Sequence, residues 1–503
     1  MSNSRGTTDG SGSAPGAVAA PQGPAPLLVL QADAGSARRD DVTAAVLAAV
    51  RDALARTGGR AAGGRAPGGA YVLVRLDGRP LTAVDVRLPL TADRVAAAVA
   101  RSSAHSAVGD GAPAAPAVPR PPLRLPSATV VVPTVVARVE ELRRCLQGLA
   151  RLDHPDAEVV LVDNRPRRPA VDPLEELLRE HPGVRVVREA VPGISAARNA
   201  GLRAARGEVV AFTDDDVTVD PGWLSAIARR FAQSPAEEAV TGLVLPAELE
   251  TAAQQRYERH YGGFGGPRSF VPVSLHPARD RRGRVRRGLV DVRSPEGERL
   301  RTIAVYGVGA YGAGANVAFR TDGLRARGGF DVALGTGTPT RGGEDLAAFV
   351  HVLGEGWALG YEPTAVVHHT HRREDAELER QLVGNGTGFT AMLTSLVLHD
   401  PAHLLSLAAL GPGAAATMAR QTLRRLLPGR ARRAGGPAGP AVPAEPAGPA
   451  VLAEPPAPRD PAARRMVVLE LGGMLRGPAA YLRSRRAHAA RGAALPLAAG
   501  GAA

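Results

Sequence analysis

The sequence contains no lysine and a single cysteine, Cys145. One cysteine excludes a disulfide framework and any zinc or iron–sulfur site built on cysteines, and it favours a reducing compartment. Aromatic residues make up only 3% of the chain, which leaves little for a nucleic-acid surface that stacks bases on aromatic rings. No apolar run approaches the ~18 residues of a membrane span, and the first residues lack the apolar segment of a signal peptide. These absences together predict a cytoplasmic protein.

The charge balance is strongly positive and rests on one residue type. All 62 basic residues are arginine, and the formal net charge is +13 over 503 residues. Such a surplus favours phosphate-bearing partners, namely nucleotides, nucleic acid or anionic lipid headgroups, without choosing among them. The chain is 44% hydrophobic and 22% charged, a globular composition, and it is long enough for two or three domains.

Glycine and proline are more frequent than compact domains of this length require, with 59 and 43 residues respectively. We therefore predict a disordered tail at 1–26 and Pro/Ala-rich linkers at 107–127 and 428–463, because no period of 2 or 3.6 residues is sustained there. Between the tail and the first linker, residues 27–106 are predicted to form a small α+β accessory domain.

This accessory domain combines helical and strand patterns. A helix is predicted from Asp41 to Arg56 and another near Ala92–Ala100. Between them, alternating apolar residues predict a hairpin that turns at Gly78–Pro80. The segment carries no recognisable chemistry.

Short apolar runs recur between helical stretches in residues 128–400. They begin at Ala128, Glu158, Val184 and Glu208, a spacing typical of strand–helix–strand units of about 30 residues. The runs are unbroken rather than alternating, which is typical of a parallel sheet covered on both faces. We predict an α/β fold with a Rossmann-like, doubly wound, mostly parallel sheet.

Three of these runs end in polar residues: Thr134, then Asp163 with Asn164, then the triplet 214–216. The carboxyl ends of parallel strands share one edge of a sheet, so these side chains are expected to converge on a single crevice. A ligand should bind there.

The triplet Asp214, Asp215 and Asp216 follows a predicted buried strand. Adjacent carboxylates repel one another, and a hard divalent cation that also binds substrate phosphates would relieve the repulsion. The alternative is a solvated turn that caps the helix after Pro221, where aspartate is common.

Further motifs in the same order favour the metal site. The chain carries VVVPTVVARVEELRRCLQGL, VLVDN, PGISAARNAGLRAARGEVVAFTDDD, GAGANVAFR, GGFD, GGEDLAAFVHVLGEGWALGYEP and VVHHTHRR. On these motifs, residues 128–373 resemble a bacterial family 2 glycosyltransferase of the inverting GT-A type. The resemblance implies sugar transfer from a nucleoside diphosphate sugar to an acceptor hydroxyl, with Mn²⁺ or Mg²⁺ as cofactor, in a GT-A domain at 128–375.

For the donor, the resemblance implies a set of contacts that share the crevice edge: Thr134, Asp163, Gly193, Arg198, Asn199, Asp214 and Asp215. Asp163 would accept hydrogen bonds from the nucleobase, and Arg198 with Asn199 would contact the donor. Gly193 would allow a tight turn that aims the next helix at phosphate. Taken alone, Asp163 is typical of a strand-end turn and Arg198 of an ordinary surface charge.

For the metal, the resemblance implies the ligands Asp214, Asp216 and His369. An imidazole beside carboxylates would favour Mn²⁺ over Mg²⁺. The alternative for His369, which lies in a cluster with His368 and His371, is a partly buried strand-end histidine. Arg372 and Arg373 would neutralise the leaving diphosphate or form an ordinary charged loop.

For catalysis, the resemblance implies that Asp345 in GGED is the general base and that Glu344 is its acceptor-binding neighbour. The acceptor site would also include Gly314 and Asn316 of GAGAN. A positioned carboxylate is needed because an alcohol is a poor nucleophile. The alternative is that the two acidic residues complement the dipole of a helix N-terminus, and both functions are compatible.

Two other function classes compete. Gly307–Gly312 matches the dinucleotide fingerprint with Asp331 downstream, which is typical of an NAD-linked oxidoreductase, but the residues after it read as a strand rather than a helix. The positive charge and the Arg-rich run 279–301 suggest a non-catalytic nucleic-acid-binding protein. That run also contains acidic residues, so an exposed insertion is the simpler interpretation, and we expect no nucleic-acid partner.

The C-terminal part is predicted to contain a helical extension at 376–427 and a basic amphipathic helix with a tail at 464–503. Arginines flank the Leu, Met and Val residues there, so the helix would lie on an anionic membrane surface or pack against the catalytic domain. The first arrangement would place the enzyme at the inner face of the cell membrane, with a lipid-linked or cell-envelope glycan as acceptor.

Overall fold

The computed structural model describes residues 24–36, 38–61, 65–102, 123–264, 268–410, 413 and 461–490. The predicted tail at 1–26 and the predicted linkers at 107–127 and 428–463 lie almost entirely outside these residues and stay predictions. The same holds for 414–427 and 491–503.

The N-terminal unit is a three-stranded sheet with two helices. Its elements are β1 (Leu27–Asp33), α1 (Arg39–Arg56), β2 (Gly69–Leu76), β3 (Arg79–Arg87) and α2 (Ala92–Ser102). β1 pairs with β2 in parallel, and β2 pairs with β3 antiparallel. The predicted helices and hairpin are present, and β1 is an addition. The hairpin turns at Asp77 and Gly78, which both have positive φ as a two-residue turn of this kind requires.

The main sheet has 11 strands, interleaved with helices. The elements are β4 (Ala128–Thr134), α3 (Val139–Leu149), β5 (Ala157–Asp163), α4 (Pro173–Glu180), β6 (Val184–Arg188), α5 (Ile194–Ala204), β7 (Val209–Phe212), β8 (Val217–Val219), α6 (Trp223–Gln233), β9 (Glu237–Pro246), α7 (Ala252–Arg256), β10 (Val273–Arg279), β11 (Val285–Arg293), β12 (Arg299–Ala304), β13 (Val317–Arg320), α8 (Thr321–Ala326), α9 (Glu344–Gly354) and β14 (Ala358–His369). The order is β12-β11-β10-β14-β9-β13-β7-β4-β5-β6, and β8 pairs with β14.

The predicted α/β class is confirmed. β7, β4, β5 and β6 are parallel neighbours, and β9 is parallel to β14. Antiparallel strands extend the sheet beyond this unit: the Arg-rich run predicted to be an insertion contributes β11 and β12 at one edge.

Helices cover both faces of the sheet, as a doubly wound fold requires. Neighbouring β4 residues point to opposite sides, with Val131 in the core beneath α5 and Val130 in the core beneath α3. Every residue of β4 is buried, which explains why its apolar run is unbroken rather than alternating.

The C-terminal part of the chain contains the helices α10 (Asp375–His399), α11 (Pro461–Met474) and α12 (Gly477–Ala489), and residues 402–410 are also helical. α11 and α12 pack on α10, where Gly386 and Gly473 allow backbone contact between helices. Tyr481 of α12 is fully buried, and its hydroxyl donates to Asp331 at 2.8 Å. The C-terminal helices therefore pack on the unit that contains the main sheet. Within the described residues, no helix combines the length and apolarity that crossing a bilayer requires.

Candidate active site

An acidic cluster lies where β7 ends and β8 begins. β8 pairs antiparallel with the end of β14, so that Val217 is opposite His369 and the preceding Asp216 is beside it. His369 Nε2 lies 3.2 Å from Asp216 Oδ1. One ligand atom each from Asp214, Asp216 and His369 lie within 4.8 Å of one another. The structure thus brings together the three residues predicted to hold the metal.

The electrostatics of the cluster fit a cation. Burial and repulsion by Asp216 raise the pKa of Asp215 to about 7. Burial also raises the pKa of Asp214, against the opposing charge of Arg198. Two carboxylates and an imidazole are a donor set that Mn²⁺ accepts. The site therefore suits a divalent cation for two reasons: its carboxylates are crowded together, and its ligand atoms are of a kind that Mn²⁺ accepts.

Arginines neutralise part of this charge. Arg138 Nη1 and Arg372 Nη1 lie 3.1 and 3.5 Å from Asp216 Oδ2. Both arginines are partly exposed, in contrast to Asp216 itself. Arg373 instead pairs with Glu248 and Glu250, so it belongs to a charged loop.

Arg198 joins the acidic cluster to the segment at the start of α9. Its Nη2 donates to Asp214 Oδ1 and to the Gly314 carbonyl, both at 3.1 Å, and its Nη1 donates to Glu344 Oε1 at 2.9 Å. The Arg198 side chain is only 1% exposed. It therefore joins Asp214, Gly314 and Glu344 from inside the protein and does not face solvent.

Glu344 and Asp345 are the first two residues of α9. The residue before them, Gly343, has a positive φ. Asp345 Oδ2 accepts from the Gly314 amide at 2.8 Å, and Oδ1 accepts from the Leu346 amide. Glu344 Oε2 is buried and has no hydrogen-bond partner among the described residues. Burial, together with the Asp345 charge, raises the pKa of Glu344 to about 7 against the opposing charge of Arg198. Asp345 is partly exposed, as a base that meets a substrate must be.

Comparison with known proteins identifies the fold family. A family model described as "Glycosyl transferase family 2" matches residues 129–290. This segment is a family 2 glycosyltransferase domain. The match includes Asp214 and Asp216 and ends before Glu344, Asp345 and His369, which the fold brings to the same site.

Curated relatives agree with this family. The chain is 28% identical over 260 residues to a pre-mycofactocin glycosyltransferase of Mycobacterium tuberculosis, covering 51% of this chain and 46% of that protein. It is 26% identical over 128 residues to the putative glycosyltransferase EpsH of Bacillus subtilis, covering 24% and 37%. The alignments thus span less than half the length of these relatives.

Among solved structures, the chain was matched to the mannosyltransferase PcManGT of Pyrobaculum calidifontis in complex with GDP-Man and Mn²⁺. It has a TM-score of 0.38 and 16% identity, covering 70% of this chain and 87% of that one.

Within the glycosyltransferase domain, Asp163 is paired with arginines. Arg165 Nε donates to its Oδ1 at 2.8 Å, and Arg168 Nε donates to its Oδ2 at 2.7 Å. Burial alone would raise the pKa of Asp163, but these hydrogen bonds lower it to about 2. The Asp163 carboxylate, which was predicted to contact the nucleobase, is therefore already hydrogen-bonded by two arginines. Arg168 is the more exposed of these two arginines.

Thr134 and Asp215 contact each other at the crevice edge. Thr134 Oγ1 donates to Asp215 Oδ2 at 2.6 Å and accepts from the Val136 amide at 2.9 Å. Thr134 thus holds Asp215 beside the other carboxylates of the acidic cluster. A direct donor contact for either residue stays a prediction.

Two predicted contacts need correction because the side chains hold the scaffold together. Asn199 bonds the Phe330 backbone through both ends of its amide, at 2.8 Å each. Asn316 is fully buried, accepts from Trp223 Nε1 and donates to the Leu243 and Ala365 carbonyls. Buried amides must be paired, and these pairs lie within the protein rather than with a donor or an acceptor.

The predicted phosphate contact at the start of α5 also needs correction. The Ile194 amide donates to the Thr336 carbonyl at 2.9 Å, and Ser195 Oγ donates to the Leu334 carbonyl. A loop therefore covers this helix terminus. Gly193 does have a positive φ, and a Cβ there would lie 3.1 Å from Thr338 Cγ2, so the glycine serves close packing.

The alternative dinucleotide site is not formed. The Gly307–Gly312 segment lies in a 3₁₀ helix, Val305–Tyr311, and the strand β13 follows it rather than a phosphate-facing helix. Asp331 accepts from Ser395 Oγ at 2.6 Å and from Tyr481. Its position in the sequence therefore reflects helix packing and not ribose binding.

Arg138 is the main site residue that sequence reasoning did not single out. It follows β4 at the same sheet edge as Thr134, which was the available signal. Phe264 was also missed; its ring centroid lies 4.3 Å from that of His369.

Proposed function

We propose that this chain is a metal-dependent inverting glycosyltransferase that moves a sugar from a nucleoside diphosphate sugar to an acceptor hydroxyl. The observation that carries the proposal is the Arg198 connection. One buried guanidinium bonds Asp214 of the metal cluster and Glu344, the neighbour of the base. Arg198 would therefore fix the distance between the donor side of the site at Asp214 and the acceptor side at Glu344. A displacement reaction requires its reactants to be held at such a fixed distance.

Asp214, Asp216 and His369 would hold Mn²⁺ or Mg²⁺, which when bound would neutralise the diphosphate leaving group. Mn²⁺ is favoured because His369 supplies a nitrogen ligand. Arg138 and Arg372 are partly exposed beside Asp216 and would bind diphosphate oxygens from the protein side. Thr134 and Arg168 would line the nucleoside pocket, with the buried Asp163 holding Arg168 in place.

Asp345 would accept the proton of the acceptor hydroxyl. Its two oxygens are oriented by backbone amides, which hold the carboxylate in place without neutralising it. A base on the face opposite the leaving group produces inversion in a single displacement. Glu344 and Gly314 would shape the acceptor side.

We also propose that the acceptor is a lipid-linked or cell-envelope glycan and that the enzyme works in the cytoplasm at an anionic membrane surface. Apolar side chains are exposed on α11 (Val468 at 66% and Leu471 at 42%), just after it (Leu475 at 87%) and in the middle of α12 (Leu482 at 41%). Exposed arginines flank them: Arg464, Arg476, Arg483 and Arg486. A face of this composition suits an anionic bilayer interface.

The helix α10 lies between this exposed apolar surface and the start of α9, which carries the proposed base. On α10, Gly386 contacts the backbone of Glu470 in α11, while Gly388 contacts the backbone of Gly342, just before the acidic pair of α9. One helix therefore separates the exposed apolar face from the catalytic segment, which suits an acceptor anchored in lipid.

A panel of nucleoside diphosphate sugars tests the proposed function. One donor should raise the melting temperature in the presence of Mn²⁺, and the same donor should be hydrolysed slowly without acceptor. An outcome in which no donor stabilises the protein or is hydrolysed would contradict it.

A further inference from the structure

The N-terminal unit packs against β9 and β14, and β14 carries the proposed metal ligand His369. Its apolar contact joins residues from both parts: Leu27, Tyr71, Leu73 and Ala83 with Leu243, Leu245, Leu249 and Val366. Leu245 and Val366 lie near the ends of β9 and β14, and His369 is the last residue of β14. The N-terminal unit therefore contacts β9 and β14 near the ends that lie closest to the proposed metal site.

Polar contacts strengthen this placement. Arg75 Nη2 of β2 bonds Asp220 Oδ2 at 2.7 Å, and both side chains are largely buried. Asp220 directly follows β8, and its amide donates to the Val366 carbonyl. Because β8 begins just after Asp216, the Arg75 contact restrains the strand pair that brings Asp216 beside His369.

A second set of contacts leads from the unit to the loop after β14. Arg268 Nη1 donates to the Tyr71 hydroxyl at 3.3 Å. The same guanidinium bonds both oxygens of Glu258, at 2.7 and 2.8 Å. Glu258 Oε1 lies 2.6 Å from Nε2 of His371, two residues beyond His369.

Glu258 is held from two sides in this network. Burial alone would raise its pKa, but the Arg268 charge and hydrogen bonds from His371 and Arg268 hold the pKa well below its usual range. The 2.6 Å contact between Glu258 Oε1 and His371 Nε2 orients the His371 ring. Phe264 packs beside both histidines, with its ring centroid 4.3 Å from that of His369 and 5.9 Å from that of His371.

We propose that the N-terminal unit is a brace for the metal site: Tyr71, Arg268 and Glu258 position the His369–His371 segment, and Arg75 positions the strand after Asp216. This inference rests on the proposed metal-dependent function. These four are positioning residues, because they act through the residues that would bind the metal. Partners that orient metal ligands typically change metal affinity 10- to 100-fold when removed.

The experiment measures Mn²⁺ binding alone by electron paramagnetic resonance on the full-length protein. Glu258→Gln should raise the Mn²⁺ dissociation constant by about 10-fold or more, and Tyr71→Phe should raise it by a smaller factor. The matched control for Glu258→Gln is Glu237→Gln. Glu237 also forms a buried pair with an arginine, Arg230, but it lies at the start of β9, at the end of the strand far from His369.

Tyr306→Phe is the control for Tyr71→Phe, because Tyr306 is another buried tyrosine, with its hydroxyl 3.0 Å from Nδ1 of His403. Melting temperatures are measured for all four variants, and the tyrosine pair keeps the test available if Glu258→Gln does not fold.

Unchanged Mn²⁺ affinity in the folded brace variants, or an equal loss in the controls, would overturn the brace alone. A parent protein that binds no Mn²⁺ would overturn the proposed metal dependence as well.

Discussion

Arg198 Nη1 lies 2.9 Å from Glu344 Oε1, and both side chains are nearly excluded from solvent. Arg198 also bonds Asp214, so one guanidinium compensates carboxylates on both sides of the site. Burial of a charge is unfavourable without such a partner. The arrangement therefore couples the stability of the fold to the spacing of the catalytic groups.

Removing this guanidinium should destabilise the fold. Arg198→Met leaves Glu344 and Asp214 without their partner, and we expect the free energy of unfolding to fall by ~3–5 kcal/mol. Urea denaturation measures the loss. The double variant Arg198→Met/Glu344→Gln should be more stable than the single variant, and a double variant that is less stable would contradict the pairing.

Removing a metal ligand should abolish metal-dependent nucleotide binding. Asp216→Asn keeps the shape of the side chain but removes the charge that a divalent cation needs. Calorimetry with nucleoside diphosphate and Mn²⁺ should show most of the binding lost. Asp322→Asn, at an exposed aspartate on α8, is the control. Binding as tight as in the parent would show that the metal lies elsewhere.

Removing the base should separate binding from chemistry. Asp345→Asn keeps the shape of the side chain and one of the two oxygens that accept from backbone amides. It cannot take a proton, so transfer should fall by ~10²-fold or more while donor binding persists. The measurement compares single-turnover transfer with donor affinity. Full transfer activity would move the base to another residue, with Glu344 the first candidate.

The stability of the metal-free protein should depend on Glu344 protonation. Folding raises the pKa of this carboxyl from 4.5 to about 7, so the folded state holds the proton more tightly than the unfolded state. The free energy of unfolding should therefore contain a contribution that decreases as pH rises through this interval. Glu344→Gln should make the decrease shallower in urea titrations, whereas Asp322→Asn should not.

The exposed face of α11 should bind anionic membranes. Flotation with phosphatidylglycerol vesicles at low salt should carry the parent protein upward. The triple variant Val468→Ser/Leu471→Ser/Leu475→Ser should float less, because apolar contacts with the bilayer are lost. A control that changes exposed apolar residues elsewhere, Val171→Ser/Leu300→Ser, should float like the parent. Equal recovery of the parent and the triple variant would remove α11 from membrane binding.

Local patterns predicted most of the secondary structure near the site. The unbroken run of β4 and the aspartates after β7 indicated a buried parallel sheet with acidic residues at its edge, and both are present. The proposed metal ligands could be named because a family resemblance supplied the position of His369. The pairing of β8 with β14, which brings His369 beside Asp216, joins residues far apart in the chain.

The sequence by itself determined which residues lie at strand ends and helix starts, because apolar periodicity and turn residues act over a few neighbours. Only the tertiary structure decided which polar groups face a ligand and which pair internally. Asn199, Asn316 and Asp163 occupy positions typical of ligand contacts, yet each is bonded within the protein. A buried polar group takes whichever partner the fold brings within hydrogen-bond distance, and that distance depends on residues remote in the chain.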